Sequence, residues 1–344
     1  GVMLMYGLAN SCGGWGIEWW YNAHFPYGAI QTIFISMLIP TFVKEMTGSA
    51  TLLMINPAFI VSGGFELEDE AKRLTCLNQT VFAGSLIAGL ALGELTSLGL
   101  SFQTRFLIVA GIALASAVFT AATNGAAAKR IKVEEPGAAD SGAAKTGVIS
   151  VLFSGFGLFL LAVFLITVGQ GVITTQYPNY MKEVFGIEGG SASTALSVAA
   201  IVTLLVLGPV GTWMGRSGPS PVWFSAVALK IVAMILLAIL AIAGERVEFI
   251  PLACYILYAQ GIAMVDMMQP ALAVRASTAG AGLTQGMMMF AIASAYAVGS
   301  IGAGAAADSD LGYQSLPWIV VGASALGCMA GWIAFGGREK SERA

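Results

Sequence analysis

A chain of 344 residues that is 57% hydrophobic and only 10% charged has too few charges to clothe a soluble core of its size. Its mean hydropathy of +0.81 and its runs of about 20 apolar residues, enough to cross about 30 Å of hydrocarbon, mark a polytopic all-α membrane protein whose surroundings are a lipid bilayer. The net charge of −3 identifies no partner, because the placement of charges matters more than their sum, and no nucleic acid is expected among the partners.

Residues 1–23 are apolar but broken by glycine, and hold Trp15, Trp19, Trp20 and Tyr21. They read as an interfacial lead-in or as part of a long first helix. The first span is 24–43. The second, 50–65, is short and carries Pro57. The third and fourth are 79–99 and 105–125. Between the second and third, "LEDEAKR" at 67–73 reads as a solvated cytoplasmic loop. The stretch 126–147, rich in Ala and Gly with both charge signs and Pro136, reads as a flexible linker. Six spans follow, at 149–176, 191–213, 221–243, 250–272, 281–304 and 315–335, before a polar tail.

That plan predicts about ten spans. The domains are a four-span half at 1–125, the linker at 126–147, and a six-span half at 148–344. With the N-terminus inside, cytoplasmic segments hold 11 Lys and Arg residues and outer segments hold 4. The bias puts both termini in the cytoplasm of a multi-pass protein of the inner or plasma membrane.

Two internal repeats relate the halves. "IPTFVKEMTG" at 39–48 matches "YPNYMKEVFG" at 177–186, with Pro40/Pro178, Lys44/Lys182, Glu45/Glu183 and Gly48/Gly186 all at an offset of 138. Each copy closes the opening helix of its half. "LNQTVFAGSLIAGLALGEL" from Leu77 matches "LTQGMMMFAIASAYAVGSI" from Leu283, with Gln79/Gln285, Ala91/Ala297 and Gly93/Gly299 at an offset of 206. The matching pairs keep their order and direction, so the halves are parallel repeats. The offsets differ by 68 residues, room for two spans with loops at roughly 20–25 residues per span. The first half is therefore two helices short of six.

Two parallel halves, a cytoplasmic linker, and "GTWMGRSGPS" between the sixth and seventh spans resemble the major facilitator superfamily. That family's signature is G-x-x-x-D-R-x-G-R-R/K. Gly211, Arg216 and Gly218 match it, while Gly215 stands for Asp, and Pro219 and Ser220 replace the basic pair. The first-half copy is absent, as it would be if the missing residues held the family's second and third helices. The resemblance implies a two-half helical bundle with about ten transmembrane helices instead of twelve. It also implies a secondary transporter, or permease, that moves a small solute by alternating access. The competing readings are a non-transporting assembly or interaction protein on the same scaffold, and an internally deleted, inactive transporter.

The resemblance places the family's helices 1, 4, 7 and 10 around a central cavity, which makes the polar residues of the matching spans substrate candidates. These are Gln31, Asn56, Gln170, Thr174, Gln176, Tyr255, Tyr258 and Gln260. The alternative for each is an interhelical hydrogen bond of about 0.6 to 2 kcal/mol. Few charges among them argue against a highly charged substrate. Lys230 and Asp266 lie about 13 Å and about 9 Å inside consecutive spans on the helical rise. An unpaired charge there costs at least about 2.5 kcal/mol on insertion scales, which suggests an ion pair that shifts as the halves rock. Arg216, Gly211, Gly218 and Arg275 are gating candidates with them. Glu94 and His24 are candidates for proton coupling, and the coupling ion is H+ or Na+.

The four cysteines are scattered, without CxxC or a neighbouring His, so no metal site and no cofactor are expected. No G-x-x-x-x-G-K-[ST], H-E-x-x-H or nucleophile elbow occurs, which argues against ATP-driven transport by this chain alone and against a membrane hydrolase. The expected protein is thus a monomeric carrier and not an enzyme.

Overall fold

The computed structural model describes residues 63–98, scattered positions at 57–61 and 100–119, and residues 153–336 apart from Glu245 and Arg246. Among these the helices are α1 (Leu67–Ser97), α2 (Gly155–Phe185), α3 (Gly189–Ser217), α4 (Pro219–Ala243), α5 (Phe249–Ala276), α6 (Ala281–Ala307) and α7 (Leu316–Gly336), and no strand occurs. A 3-10 turn, Tyr313–Ser315, leads into α7. Six of these helices, α2 to α7, are long and apolar enough to cross a membrane. They are the six spans expected after the linker. The linker itself and the first span lie outside the described residues.

Residues 57–87 and 145–344 form one compact unit, and residues 1–56 with 88–144 form another. The described contacts belong to the first of these units. Within it, α2 packs on α6 and α7, α4 on α5 and α7, and α5 on α3.

Local chemistry sets the helix ends. The Ser154 hydroxyl accepts from the Phe156 N–H at 3.2 Å and caps the start of α2. At the other end Gly186 turns left-handed, with φ 71°, and donates its N–H to Lys182 O at 2.9 Å. Ile187 N–H reaches back to Met181 O at 3.0 Å, and both side chains are buried. The bond from Gly186 to Lys182 is that of an αL stop. The "KEVFG" repeat therefore closes a helix, as its sequence suggests. The helix runs on through Pro178 to Phe185, nine residues beyond the expected 176.

"LEDEAKR" is not a loop. It forms the first two turns of α1, with Ala71 buried and Glu70 nearly so. The three leading acids favour a helix N-terminus, and Lys72 pairs with Glu68 at 2.8 Å one turn away. The charges that suggested a loop are those of a helix start.

Glycine permits the closest helix approaches. Gly171 of α2 faces the Tyr296 backbone of α6, and Gly299 of α6 faces Val168 and Val172 of α2. The contact is reciprocal, and a side chain at either position would enter the opposite main chain.

Candidate functional site

Two apolar clusters divide the described unit by depth. One gathers Phe156, Phe159, Trp223, Met267 and Leu272, with Leu74 of α1. The other gathers Tyr177, Met181, Leu237, Tyr255 and Leu316. On α2, α3, α4 and α5 the sequence between the two clusters is where buried polar side chains appear, Thr167, Thr203, Lys230 and Gln260, with Gln170 half-buried beside them. They make a polar layer at mid-depth. An amide, hydroxyl or ammonium there needs a partner, because hydrocarbon offers none.

Most members find one. Gln260 accepts from the Thr203 hydroxyl at 3.0 Å and donates to Ala199 O and Ile256 O, both at 3.2 Å. Its valences tie α5 to α3, so the structure gives Gln260 a bracing contact. Thr174 donates to Gln170 O at 2.7 Å and also meets the Tyr296 hydroxyl. Gln176 accepts from Asn179 within α2 at 3.0 Å, on the outer side of the layer. Tyr255 stacks on Tyr177, with ring centroids 3.6 Å apart and planes inclined by 20°.

Lys230 is fully buried. Its stem crosses Gly261 of α5, where any added side chain would strike it. Its Nζ donates to Gln170 Oε1 at 3.4 Å and sits 5.5 Å from the centre of the Tyr258 ring. The ring face is a weak site for a cation. No ion pair joins Lys230 to Asp266 among the described residues; the ammonium meets an amide and a phenol instead. Asp266 is exposed, although the residues on both sides of it are buried. Since α5 continues to Ala276, Asp266 lies about 15 Å from the helix end on the α-helical rise. The Tyr258 hydroxyl is buried without a hydrogen-bond partner among the described residues.

A second constellation lies at the ends of α3 and α5. The Gly211 of the partial signature sits directly against Thr75 of α1, and Gly215 against Glu68. Gly218 ends α3 at φ 83°, a conformation that disfavours any side chain. Arg216 lies in the last turn of α3, where a positive charge complements the helix dipole. Arg275 meets Glu70 at 3.5 Å. The Thr75 hydroxyl donates to Met267 Sδ at 3.6 Å, and the Gln79 amide to Leu204 O at 3.1 Å.

The structure thus brings Gln170, Thr174, Tyr258 and Lys230 into one neighbourhood. Gly211 and Arg275 each join α1, at separate contacts. An open groove of about 630 Å³ between α3 and α5, lined by Ser191, Thr194, Glu248 and Phe249 among others, includes none of the candidates. Gln31, Asn56 and His24 lie outside the described residues. Glu94 falls on α1, where its side chain is not described. Sequence reasoning missed Thr203, Tyr296 and Glu70. Thr203 and Tyr296 were each detectable as a polar group inside an apolar span, while Glu70 was hidden in a run read as a loop.

The backbone matches solved membrane carriers. It superposes on the proton:xylose symporter XylE, a major facilitator superfamily protein bound to 6-bromo-6-deoxy-D-glucose, with a TM-score of 0.67 and 13% identity, over 96% of this chain and 79% of that one. It superposes on the E. coli fucose:proton symporter FucP (N162A) with a TM-score of 0.65 and 14% identity, over 97% and 83%. A bacterial homologue of the iron transporter ferroportin, in its outward-facing state, gives 0.57 and 12%, over 97% and 83%. No protein-family profile and no curated protein matches the sequence. The fold is that of major facilitator transporters.

Proposed function

We propose that this chain is a secondary transporter that carries a small polar solute by alternating access, as a monomer. The observation that carries the reading is the polar layer, with Lys230 buried within it and Asp266 exposed about 9 Å further along α5 from Gln260. A carboxylate far from both helix ends needs water or a cation before it, not lipid, and so marks a hydrated path. Two of the structural neighbours are proton symporters, one of xylose and one of fucose. Those facts favour an uncharged, hydroxyl-rich solute and an ion gradient as the driving force.

Gating belongs to the second constellation. On the charge bias, the Glu70–Arg275 end faces the cytoplasm. There the first turns of α1 press on α3 and α5 through Gly211 and Gly215, closing that end. An opening motion would part Thr75 from Gly211 and Glu70 from Arg275. The ion pair itself contributes at most about 1 kcal/mol, because Arg275 is partly exposed, a strength suited to a contact that is made and broken. The first half is two helices short of the family plan, and this is the feature most able to abolish transport.

The test is uptake and counterflow into proteoliposomes holding the purified full chain, across a panel of labelled sugars, polyols and amino acids. Saturable counterflow of one class, lost in Gln170→Ala, is the expected result. A folded monomer that moves none of them would leave the chain an inactive or non-transporting scaffold.

A further inference from the structure

The open groove between α3 and α5 is closed at its inner end. Its walls run from Ser191 to Val198 on α3 and from Glu248 to Ile256 on α5, about 10 to 12 Å on the α-helical rise. Beyond them Gln260 clamps the two helices, accepting from Thr203 at 3.0 Å and donating to Ala199 O at 3.2 Å. Ala199 directly follows Val198. The groove therefore stops short of the polar layer, and no member of that layer lines it.

Polarity is graded along the groove. Ser191 and Glu248 stand at the mouth, while Val198, Leu252 and Ile256 line the depth. Val198 and Phe249 are exposed, so the groove opens sideways to the surroundings of the bundle. At the depth of a membrane span those surroundings are hydrocarbon. An amphiphile fits the gradient, with an acyl chain along the apolar walls and a headgroup at the mouth.

Hydrocarbon bathes the helices in any case, so the apolar walls gain little by taking one acyl chain over another. Selection falls to the mouth. Glu248 is exposed and makes no ion pair among the described residues, and no Lys or Arg is among the groove's lining residues. A carboxylate beside a hydroxyl calls for a cation that donates hydrogen bonds, and a primary ammonium donates three. A quaternary ammonium donates none and is recognised by a cage of aromatic rings. Phe249 is the one ring among the lining residues, which is no cage. An anionic headgroup meets like charge.

We propose that the α3–α5 groove seats an acyl chain of phosphatidylethanolamine, taken from the leaflet at the Glu248 end, with the headgroup ammonium held by the Glu248 carboxylate. The site goes beyond the transport reading and does not depend on it.

The test is photolabelling of the purified full chain in lipid nanodiscs. Phosphatidylethanolamine, phosphatidylcholine and phosphatidylglycerol, each with the same diazirine-bearing acyl chain, are compared, and labelled peptides are identified by mass spectrometry. Phosphatidylethanolamine should label segments 191–198 and 249–256 about two- to fivefold more than phosphatidylcholine, the range of an exposed ion pair. Phosphatidylglycerol should label them least. Glu248→Gln should bring phosphatidylethanolamine down to the level of phosphatidylcholine with labelling retained. Ala253→Trp places an indole in the groove from an exposed position and should remove labelling of these segments by all three lipids. Should Ala253→Trp fail to fold, Glu248→Gln decides alone. Equal labelling by the three lipids, strongest labelling by phosphatidylglycerol, no labelling of either segment, or an unchanged preference in Glu248→Gln would each overturn the proposal. The readout needs no solute, so a chain that transports nothing would leave a positive result standing.

Discussion

Gln79 and Gln285 stand 206 residues apart in the chain and use their side-chain amides in the same way. Gln79 Nε2 donates to Leu204 O on α3 at 3.1 Å, and Gln285 Nε2 donates to Pro270 O on α5 at 2.9 Å. Each binds another helix through a main-chain carbonyl, Gln79 reaching across to α3 and Gln285 reaching the helix that precedes its own. Gln285 is fully buried and its Oε1 has no partner. Gln285→Ala should lower stability by about 1 to 2 kcal/mol, and Gln79→Ala by less, because Gln79 is only half-buried. Heat unfolding in detergent checks both; an unchanged midpoint for Gln285→Ala would show that the bond contributes nothing.

The Gly211–Thr75 contact leaves no room for a methyl group. Gly211→Val should destabilise by about 1 to 3 kcal/mol through overpacking. The offending atom is the Thr75 hydroxyl, so adding Thr75→Ala should recover part of the loss. A double-mutant cycle measures this, and strict additivity of the two changes would place the strain elsewhere.

Glu70 gives the α1 contact a pH dependence. Burial holds its carboxyl above the ordinary carboxylate range, against the opposing pull of the Arg275 guanidinium. The folded protein then binds more protons than the unfolded chain between the ordinary value and the raised one. Stability therefore falls as pH rises through that window, and is recovered as pH drops below it. Glu70→Gln should flatten this slope. Unfolding midpoints of the two proteins across pH 4 to 8, a span set by the usual carboxylate range, give the comparison; parallel curves would remove Glu70 from the account.

The Gly186 stop fixes where α2 ends. Its φ of 71° costs about 1 to 2 kcal/mol for an ordinary L-residue. Gly186→Ala should lose about that much, and Gly186→Asn less, since asparagine tolerates the left-handed region. Equal losses for the two would mean that something other than backbone conformation governs the position.

Periodicity and hydropathy were enough to place the six later spans, because a bilayer demands long apolar runs and little else. The repeat "KEVFG" was legible for a similar reason: a glycine after a basic last turn is a helix stop with few alternatives. "LEDEAKR" misled because charge density signals solvent, while helix capping uses the same acids. Lys230 and Asp266 were recognisable as buried-span charges. Their actual partners were not, since Gln170 and Tyr258 reach Lys230 from other helices and no spacing in the sequence encodes that meeting. Nor could composition show that Gln260 is satisfied by Thr203, which lies 57 residues away.

The side of the bundle on which residues 67–82 lie has a practical meaning for dissection. These residues come before the linker, yet they fill the groove that Gly211 and Gly215 hollow out of α3. A fragment beginning at 148 would carry all six later helices and still expose a trench shaped for a missing strip of α1. Such a fragment should be unstable alone and soundly folded when co-expressed with the first 125 residues as a separate polypeptide. The linker in the sequence and the division of the fold into compact units then fall at two different places along the chain.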